Sequence, residues 1–328
     1  MISKLSHKVR VAAQVIVGIV LTVLLGWLVV RGLDWGEFAT EVASFPPSLF
    51  FVALSVFLVA IVLRAWRWHV LIVHEKIGFI RLFLIQNAGI GLNNLSPIRV
   101  VSEPLQLALV TRSGGLSAAT GLATLAMEHL LDVFATATLL GLSVLLMPEL
   151  QRYSIQMAGA VVFSAVSLIV FVVIARGMDV IPGTRRIPFL NRAVSAAGTL
   201  AGSPGRLLVS FLATLGHWSL LGLSGWIIAG GIGVDVDVAV VVVLFMGSVF
   251  FVAAVPSLPG GAVTFEAAVV YTLGLFDIPR GQALAFAVIM HVIMFVPSTL
   301  IAALVLPGEG VKMFGHGSAA VPSSLKEE

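Results

Sequence analysis

The architecture of this chain is indicated most directly by residues 81–112, which read RLFLIQNAGIGLNNLSPIRVVSEPLQLALVTR. The stretch is apolar on both sides, but glycine, asparagine, serine and proline interrupt it between Gly89 and Pro97. Each half is too short to cross a membrane, since a helix needs about 20 residues to span a hydrocarbon layer about 30 Å thick. The interruption therefore predicts a helical hairpin that enters and leaves the bilayer by the same face.

A second apolar region, residues 238–275, is broken in the same way by Pro256-Ser257-Leu258-Pro259-Gly260-Gly261. We predict a second re-entrant hairpin there. The alternative is one full span followed by a hairpin, which would place the C-terminus on the opposite side of the membrane.

Unbroken apolar stretches make up most of the remaining chain. With 59% hydrophobic and only 11% charged residues among 328, the chain cannot hide its apolar side chains in one water-soluble core. The predicted fold class is an all-α polytopic membrane protein with about six transmembrane helices and two re-entrant hairpins. The spans are predicted at residues 11–30, 48–72, 116–147, 154–175, 207–230 and 282–305.

The positive charges indicate how these segments are oriented. Of 19 lysines and arginines, all but four fall in segments that this layout places in the cytoplasm, in agreement with the positive-inside rule. The exceptions are Arg31, Arg99, Arg152 and Arg280. We expect an inner-membrane protein with both termini in the cytoplasm, a single membrane domain over residues 1–306, a surface helix near residues 191–200, and a disordered tail over residues 307–328.

The two broken regions share a pattern. In each, a glutamate follows the break by six or seven residues, and a histidine within a spanning helix follows about 25 residues later. The pairs are Glu103 with His129 and Glu266 with His291. Because the layout has one hairpin entering from each side, the pattern predicts an inverted repeat, in which transporters place substrate between discontinuous helices near the middle of the membrane.

Ionisable residues inside the predicted spans are the strongest functional signal. Glu128 and Asp132 lie four residues apart, on one face of the span 116–147. Because a charge at the centre of a helix costs about 2.5–3.5 kcal/mol to insert, both carboxylates should have partners. The candidates are Arg99, a protonated His129, or a proton on one carboxylate. The alternative is that both are inert polar contacts between helices.

Arg99 follows Pro97 at the predicted start of a half-helix, where amide groups, the helix dipole and a guanidinium together favour phosphate. Alternatively, Arg99 pairs with Glu103. In the second hairpin Gly260 permits close backbone approach, and Glu266 could neutralise a cationic headgroup or take up a proton. The candidate site residues are Asn94, Pro97, Arg99, Glu103, Glu128, His129, Asp132, Pro259, Gly260 and Glu266.

Other polar motifs favour structural roles. Arg64-Ala65-Trp66-Arg67-Trp68 is typical of an interfacial anchor, and the lone histidines His217 and His291 are typical of packed polar residues. The chain has no cysteine, and it lacks the zinc helix, phosphate-binding loop and nucleophile elbow of common enzymes. We therefore expect no cofactor, no metal and no catalytic activity.

The polar motifs together resemble those of the lysylphosphatidylglycerol synthase transmembrane-region family, also called flippase-like proteins. The resemblance covers about residues 10–305 and rests on the segments 63–68, 94–99, 128–132 and 259–261 with Glu103 and Glu266. It implies a relative of the lipid-translocating half of the multiple peptide resistance factor, which moves aminoacylated phosphatidylglycerol between leaflets. The chain departs from the family pattern at Gln106 and His129, where the family has arginine, and near Thr264, where it has glycine.

The resemblance and the buried charges together lead us to expect transport of a phosphate-containing lipid, either aminoacylated phosphatidylglycerol or a polyprenyl-phosphate-linked lipid. Its headgroup would enter a polar cleft between the hairpins. Expected partners are membrane lipids and a lipid-modifying synthase or glycosyltransferase, with no nucleic acid. The alternatives are an ion-coupled small-molecule transporter, an intramembrane enzyme, and a non-transporting partner of an envelope glycosyltransferase.

Overall fold

The structure is a computed structural model that describes residues 16, 18–96, 101–112, 115–146, 155, 158, 159, 162, 166, 188–254 and 259–310. Over this part of the chain it is helical and contains no strand. The helices are α1 (Gly18–Val30), α2 (Trp35–Ser44), α3 (Pro47–Leu71), α4 (Phe79–Leu95), α5 (Ser102–Arg112), α6 (Ala118–Leu146), α7 (Pro188–Ala201), α8 (Pro204–Ile232), α9 (Val238–Ala254), α10 (Thr264–Gly274) and α11 (Arg280–Val305). A 3₁₀ turn, Pro259–Gly261, precedes α10.

Four of these helices, α3, α6, α8 and α11, are long and apolar enough to cross a membrane. The pair α1 and α2, bent by 88° where they meet, makes a fifth if it counts as one broken span. In each of the four, less than half of the most apolar window is buried inside the protein, so much of its apolar surface is left to face lipid. The chain is an all-α polytopic membrane protein, as predicted. Of the six expected spans, the one at residues 154–175 lies almost entirely outside the described residues.

Both interrupted regions consist of two short helices. α4 and α9 have 17 residues each, and α5 and α10 have 11 each, so every arm is shorter than a straight span requires. In the first region α4 continues through the glycines and asparagines of the predicted interruption and ends at Leu95, two residues before Pro97 in the sequence. In the second region α9 ends at Ala254, two residues before Pro256. Both helices therefore end shortly before a proline, which has no amide hydrogen to donate, whereas glycine and asparagine only weaken a helix. That the arms re-enter the membrane by one face stays a prediction.

Two short amphipathic helices precede long spans. α7 corresponds to the surface helix expected near residues 191–200, whereas α2 was not expected. Asp34 caps α2, because its carboxylate accepts hydrogen bonds from the amides of Gly36 and Glu37 at 2.8 and 3.1 Å. The sequence does not indicate α2, because the polar residues of this helix resemble a loop between two spans.

The order of helices repeats along the chain. The series α2 to α6 has lengths of 10, 25, 17, 11 and 29 residues, and the series α7 to α11 has lengths of 14, 29, 17, 11 and 26. Each series runs from an amphipathic helix through a span and a broken pair to a second span. The repeat therefore extends well beyond the two broken regions in which the sequence indicates it. Its inversion across the membrane stays a prediction.

The chain divides into two compact units, each built from elements of both series. Unit 1 comprises the described residues within Met1–Ala60, Asn93–Arg99 and Trp218–Pro297. In it, α2 from the first series contacts the start of α11 from the second, with Gln282 donating to the Glu41 carboxylate at 3.3 Å. Arg280 also donates to the backbone carbonyl of Arg31.

Unit 2 comprises the described residues within Ile61–Leu92, Val100–His217 and Ser298–Glu328. Here α7 from the second series packs against α6 from the first. Leu200 and Ala197 of α7 share an apolar cluster with Met127 and Leu131 of α6. The amphipathic helix of each series thus packs beside the last span of the other.

The N-terminus of α6 is held by a carboxylate from the loop that follows α3. Glu75 accepts hydrogen bonds from the Ser117 amide (2.5 Å), the Ser117 hydroxyl (2.9 Å) and the Thr120 hydroxyl (2.7 Å). Partial burial of this loop carboxylate raises its pKa, but the hydrogen bonds from Thr120 and Ser117 outweigh that effect and hold the pKa below its usual value.

We expect Glu75→Gln to destabilise unit 2 by about 0.5–1 kcal/mol at neutral pH, as for an anion lost from a helix N-terminus. Because the folded pKa is depressed, the carboxylate contributes stability above its unfolded pKa and loses it as pH falls through the folded pKa. Thermal unfolding of both proteins in detergent between pH 3 and pH 7 should therefore show a difference that disappears at acid pH. A difference independent of pH would contradict this role.

Candidate functional site

In unit 2 a cluster of buried charges joins three helices. The Nε of Arg67 in α3 donates to Glu128 Oε1 of α6 at 3.1 Å. Its Nη1 and Nη2 donate to the two oxygens of Asp132 at 2.6 and 2.8 Å, and Nη1 also donates to Thr214 of α8 at 3.1 Å. The guanidinium thus makes four hydrogen bonds, two of them to one carboxylate in the forked geometry that arginine favours.

The cluster is enclosed by protein. Side-chain exposure is 4% for Arg67, 6% for Glu128 and 19% for Asp132. Gln86 of α4 donates to the Glu128 carboxylate at 3.3 Å, and Ser210 donates to the Arg67 carbonyl at 3.2 Å. The expected grouping of two carboxylates on one helical face is therefore observed, and both of them bind one arginine.

A second arginine extends the cluster. Arg64, one turn before Arg67, donates to Asn87 Oδ1 at 3.2 Å, and Ser298 donates to the same oxygen at 3.2 Å. The two arginines balance the two carboxylates, which makes the group electrically neutral overall. A neutral, hydrogen-bonded group can stay inside a membrane protein at far lower cost than an isolated charge.

This cluster corrects two expectations. Arg67 was expected to anchor the chain at the membrane interface, but it is buried and is the described partner of both carboxylates. A protonated His129 was one of three candidate partners for these carboxylates, but its Nε2 lies 3.8 Å from Glu103 Oε1. Arg99 and Pro97 lie outside the described residues.

In unit 1 a glutamate and a histidine form a close pair. His291 Nδ1 of α11 lies 2.5 Å from Glu266 Oε1 in the first turn of α10. The rings of Phe265 and Phe295 contact the imidazole edge to face, with centroids 5.3 and 5.7 Å away. His291 was expected to be a packed polar residue, whereas it bonds directly to Glu266, the glutamate to which the repeated spacing relates it.

The turn before Glu266 has unusual backbone geometry. Gly260 has φ +72°, and a Cβ there would lie 2.4 Å from the Phe295 ring, so only glycine fits. Val263 has φ +70°, a strained conformation for a β-branched residue. Asn94 at the end of α4 donates to the Phe295 carbonyl at 3.5 Å, which brings it beside Gly260 and close to the Glu266–His291 pair.

The predicted site residues therefore fall into two groups. Asn94, Pro259, Gly260 and Glu266 lie in unit 1, where His291 and Phe295 join them. Glu103, Glu128, His129 and Asp132 lie in unit 2, where Arg64 and Arg67 join them. The sequence contains a signal for Arg64 and Arg67 that was not used: two cations three residues apart inside an apolar helix need anions buried beside them.

The fold and these charged groups define a class: a multi-pass α-helical membrane protein with ionisable side chains inside its helical bundle. The profile of the family described as lysylphosphatidylglycerol synthase TM region matches residues 15–302, and the chain belongs to that family. The match confirms the resemblance drawn from the motifs and relates the chain to membrane lipids. No curated protein matches the chain.

Proposed function

We propose that this protein moves a phosphate-containing lipid between the leaflets of the inner membrane. The supporting observation is that both series of helices contain a broken pair whose second arm carries a glutamate in its first turn, in contact with a histidine of the next span. Broken helices with ionisable residues at their ends are the usual construction of substrate and ion sites in transporters.

Lipid is the favoured substrate for two reasons. The family takes its name from a lipid synthase. The outer surfaces of the long helices are apolar, so acyl chains could stay in the bilayer while only a headgroup enters the protein. A lipid substrate also needs no aqueous channel wide enough for a whole molecule.

The roles of individual residues follow from their pairing. Arg67 is occupied by Glu128 and Asp132, so it holds the bundle together and is not the phosphate ligand. Arg99 remains the sequence-based candidate for binding phosphate. Glu103 is half exposed, and a headgroup amine could reach its carboxylate.

The test is transbilayer exchange of acyl-labelled NBD-phosphatidylglycerol in vesicles that contain the purified protein, followed by dithionite bleaching from outside. Without transport, dithionite bleaches only the probe in the outer leaflet, about half of the total. With the protein present, we expect nearly all of the probe to be bleached. Arg99→Gln should slow exchange about tenfold or more, a loss of about 1.4 kcal/mol of stabilisation. Arg112→Gln, at the exposed C-terminal end of α5, is the matched control and should exchange at the wild-type rate.

Exchange no faster than in protein-free vesicles, for both phosphatidylglycerol and a labelled polyprenyl phosphate, would reject lipid transport. Mass spectrometry of the lipids recovered from the vesicles separates transport from catalysis. A chemically altered lipid would favour an intramembrane enzyme instead.

A further inference from the structure

The two series of helices place a glutamate–histidine pair at the same position. Glu266 is in the first turn of the 11-residue α10 and contacts His291 of the following span at 2.5 Å. Glu103 is in the first turn of the 11-residue α5 and contacts His129 of the following span at 3.8 Å. The same two residue types thus meet through the same pair of elements in both units.

Among the described residues, the Glu266–His291 pair of unit 1 has no lysine or arginine beside it to keep the carboxylate permanently neutralised. Glu266 makes no ion pair with lysine or arginine among the described residues, and its second oxygen, Oε2, is buried without a hydrogen-bond donor there. The hydroxyl of Thr264, in the same turn of α10, is also buried without a partner in the described part of the chain. Glu128 and Asp132 differ from Glu266, because both are paired with Arg67, and an arginine guanidinium stays charged at any physiological pH.

Few other charges in unit 1 could compensate the pair. The described helices α1 and α9 carry no ionisable residue, α10 carries only Glu266 and Tyr271, and α11 carries only Arg280 and His291. The remaining charged residues of the described unit lie in α2 or in loops: Arg31, Asp34, Glu37, Glu41, Asp235, Asp237 and Asp277. Among the described residues of unit 1, the number of protons on the Glu266–His291 pair therefore sets the charge at this point.

The chemistry of such a pair suits reversible proton binding. With one proton shared between carboxylate and imidazole the pair is neutral, and without it the pair carries one negative charge. Histidine changes its protonation near physiological pH more readily than any other side chain. Histidine is also not a ligand for sodium, which binds oxygen atoms, so the repeated Glu–His combination favours H⁺ over Na⁺ as the ion bound.

The two pairs differ in how open they are. Side-chain exposure is 13% for Glu266 and 17% for His291, against 44% for Glu103 and 63% for His129. Equivalent positions of one repeat are thus seen once enclosed and at hydrogen-bonding distance, and once exposed with the two groups 3.8 Å from each other. A carrier that exposes its sites in turn needs both of these conditions for each site.

We propose that the two glutamate–histidine pairs are proton-binding sites and that lipid movement is coupled to proton transfer. This rests on the proposed lipid transport. Each pair takes up one proton when open and carries it when enclosed, and no covalent bond changes. The driving ion is H⁺, and the free energy comes from a transmembrane pH difference.

The test combines exchange of NBD-phosphatidylglycerol with an imposed pH difference of about two units across the vesicle membrane, a difference worth about 2.7 kcal/mol per proton. We expect the wild-type exchange rate in one direction to rise several-fold over the rate without a gradient. In Glu266→Gln and His291→Gln the ratio of the two rates should fall to one. Glu41→Gln and His74→Gln are matched controls of the same residue types outside the pairs and should keep the wild-type ratio.

A second measurement does not depend on lipid exchange. Proton uptake by the purified protein in detergent, followed with a pH indicator between pH 5 and pH 8, should fall by about one proton per chain in Glu266→Gln or His291→Gln. Uptake equal to the wild type in both variants would overturn the proton site.

The outcomes separate the two proposals. A lipid exchange rate that does not change with the pH difference, or that changes with a sodium gradient instead, would overturn proton coupling. It would not affect the proposal of lipid transport. No exchange by the wild type would reject lipid transport, and the uptake measurement would then decide the proton site by itself.

Discussion

Arg67→Met is expected to destabilise the protein by about 3–5 kcal/mol, the usual cost of removing one partner from a buried ion pair. The substitution leaves the carboxylates of Glu128 and Asp132 inside the protein with only the Arg64 guanidinium to balance both, so one negative charge is uncompensated. Arg67→Lys should recover part of the loss, because it restores the charge but not the two parallel hydrogen bonds to Asp132. The stability of both variants is measured by heating the purified proteins and recording, by size-exclusion chromatography, the temperature at which the monodisperse peak is lost.

Two further variants show whether the cause is electrostatic. Replacing Arg64, Arg67, Glu128 and Asp132 together with three methionines and, at Asp132, leucine should regain most of the stability, because an apolar cluster of similar volume leaves no charge uncompensated. Arg31→Met is the matched control, since Arg31 is exposed, and should change stability by less than about 1 kcal/mol. If this fourfold variant were as unstable as Arg67→Met, lost packing and not uncompensated charge would be the reason.

Gly91→Leu is expected to cost about 3 kcal/mol or more, at the upper end of the range for overpacking. In unit 2, α4 approaches α11 so closely that a Cβ on Gly91 would lie 2.0 Å from the carbonyl oxygen of Ser298 and 2.6 Å from the Cβ of Ala302. The clash is with backbone, which cannot rotate away as a flexible side chain can. Separation of the helices would also break the hydrogen bond from Ser298 to Asn87, one turn earlier in α4.

The control for Gly91→Leu is a helical glycine with space around it. A Cβ on Gly230, in α8, would meet no atom within 4 Å, so Gly230→Ala should be neutral or stabilising by up to about 1 kcal/mol. Both variants are compared with the wild type by the same thermal assay. Wild-type stability in Gly91→Leu would show that α4 and α11 are not in contact at this point.

Much of the fold could be predicted because lipid imposes simple rules on sequence. The spans at α3, α6, α8 and α11 agree with the predicted segments to within a few residues, since a helix that crosses a bilayer must be apolar over about 20 residues. The breaks between α4 and α5 and between α9 and α10 were predicted for a similarly local reason. The helix α2 was missed, because a short amphipathic helix needs neither an apolar run nor a breaker.

The candidate site could be predicted only in part. The i, i+4 spacing of Glu128 and Asp132 indicated one shared face, and the spacing of the two Glu–His pairs indicated a repeat. The predicted role of Arg67 was wrong, because an arginine near the end of a span gives the same sequence pattern whether its side chain faces the lipid headgroups or the interior of the bundle. Only the packing of α3 against α6 and α8 shows that it points inward.

The sequence by itself determined that this chain lies in a membrane, where its helices break, which ionisable residues lie within its spans, and the family to which it belongs. These properties depend on local composition and spacing, which the bilayer and the backbone restrict directly. The tertiary structure decided which charges meet: Arg67 with both carboxylates, and each glutamate with the histidine about 25 residues later. It also decided that one of the two equivalent pairs is enclosed and the other open, because burial and distance depend on packing between helices far apart in the chain.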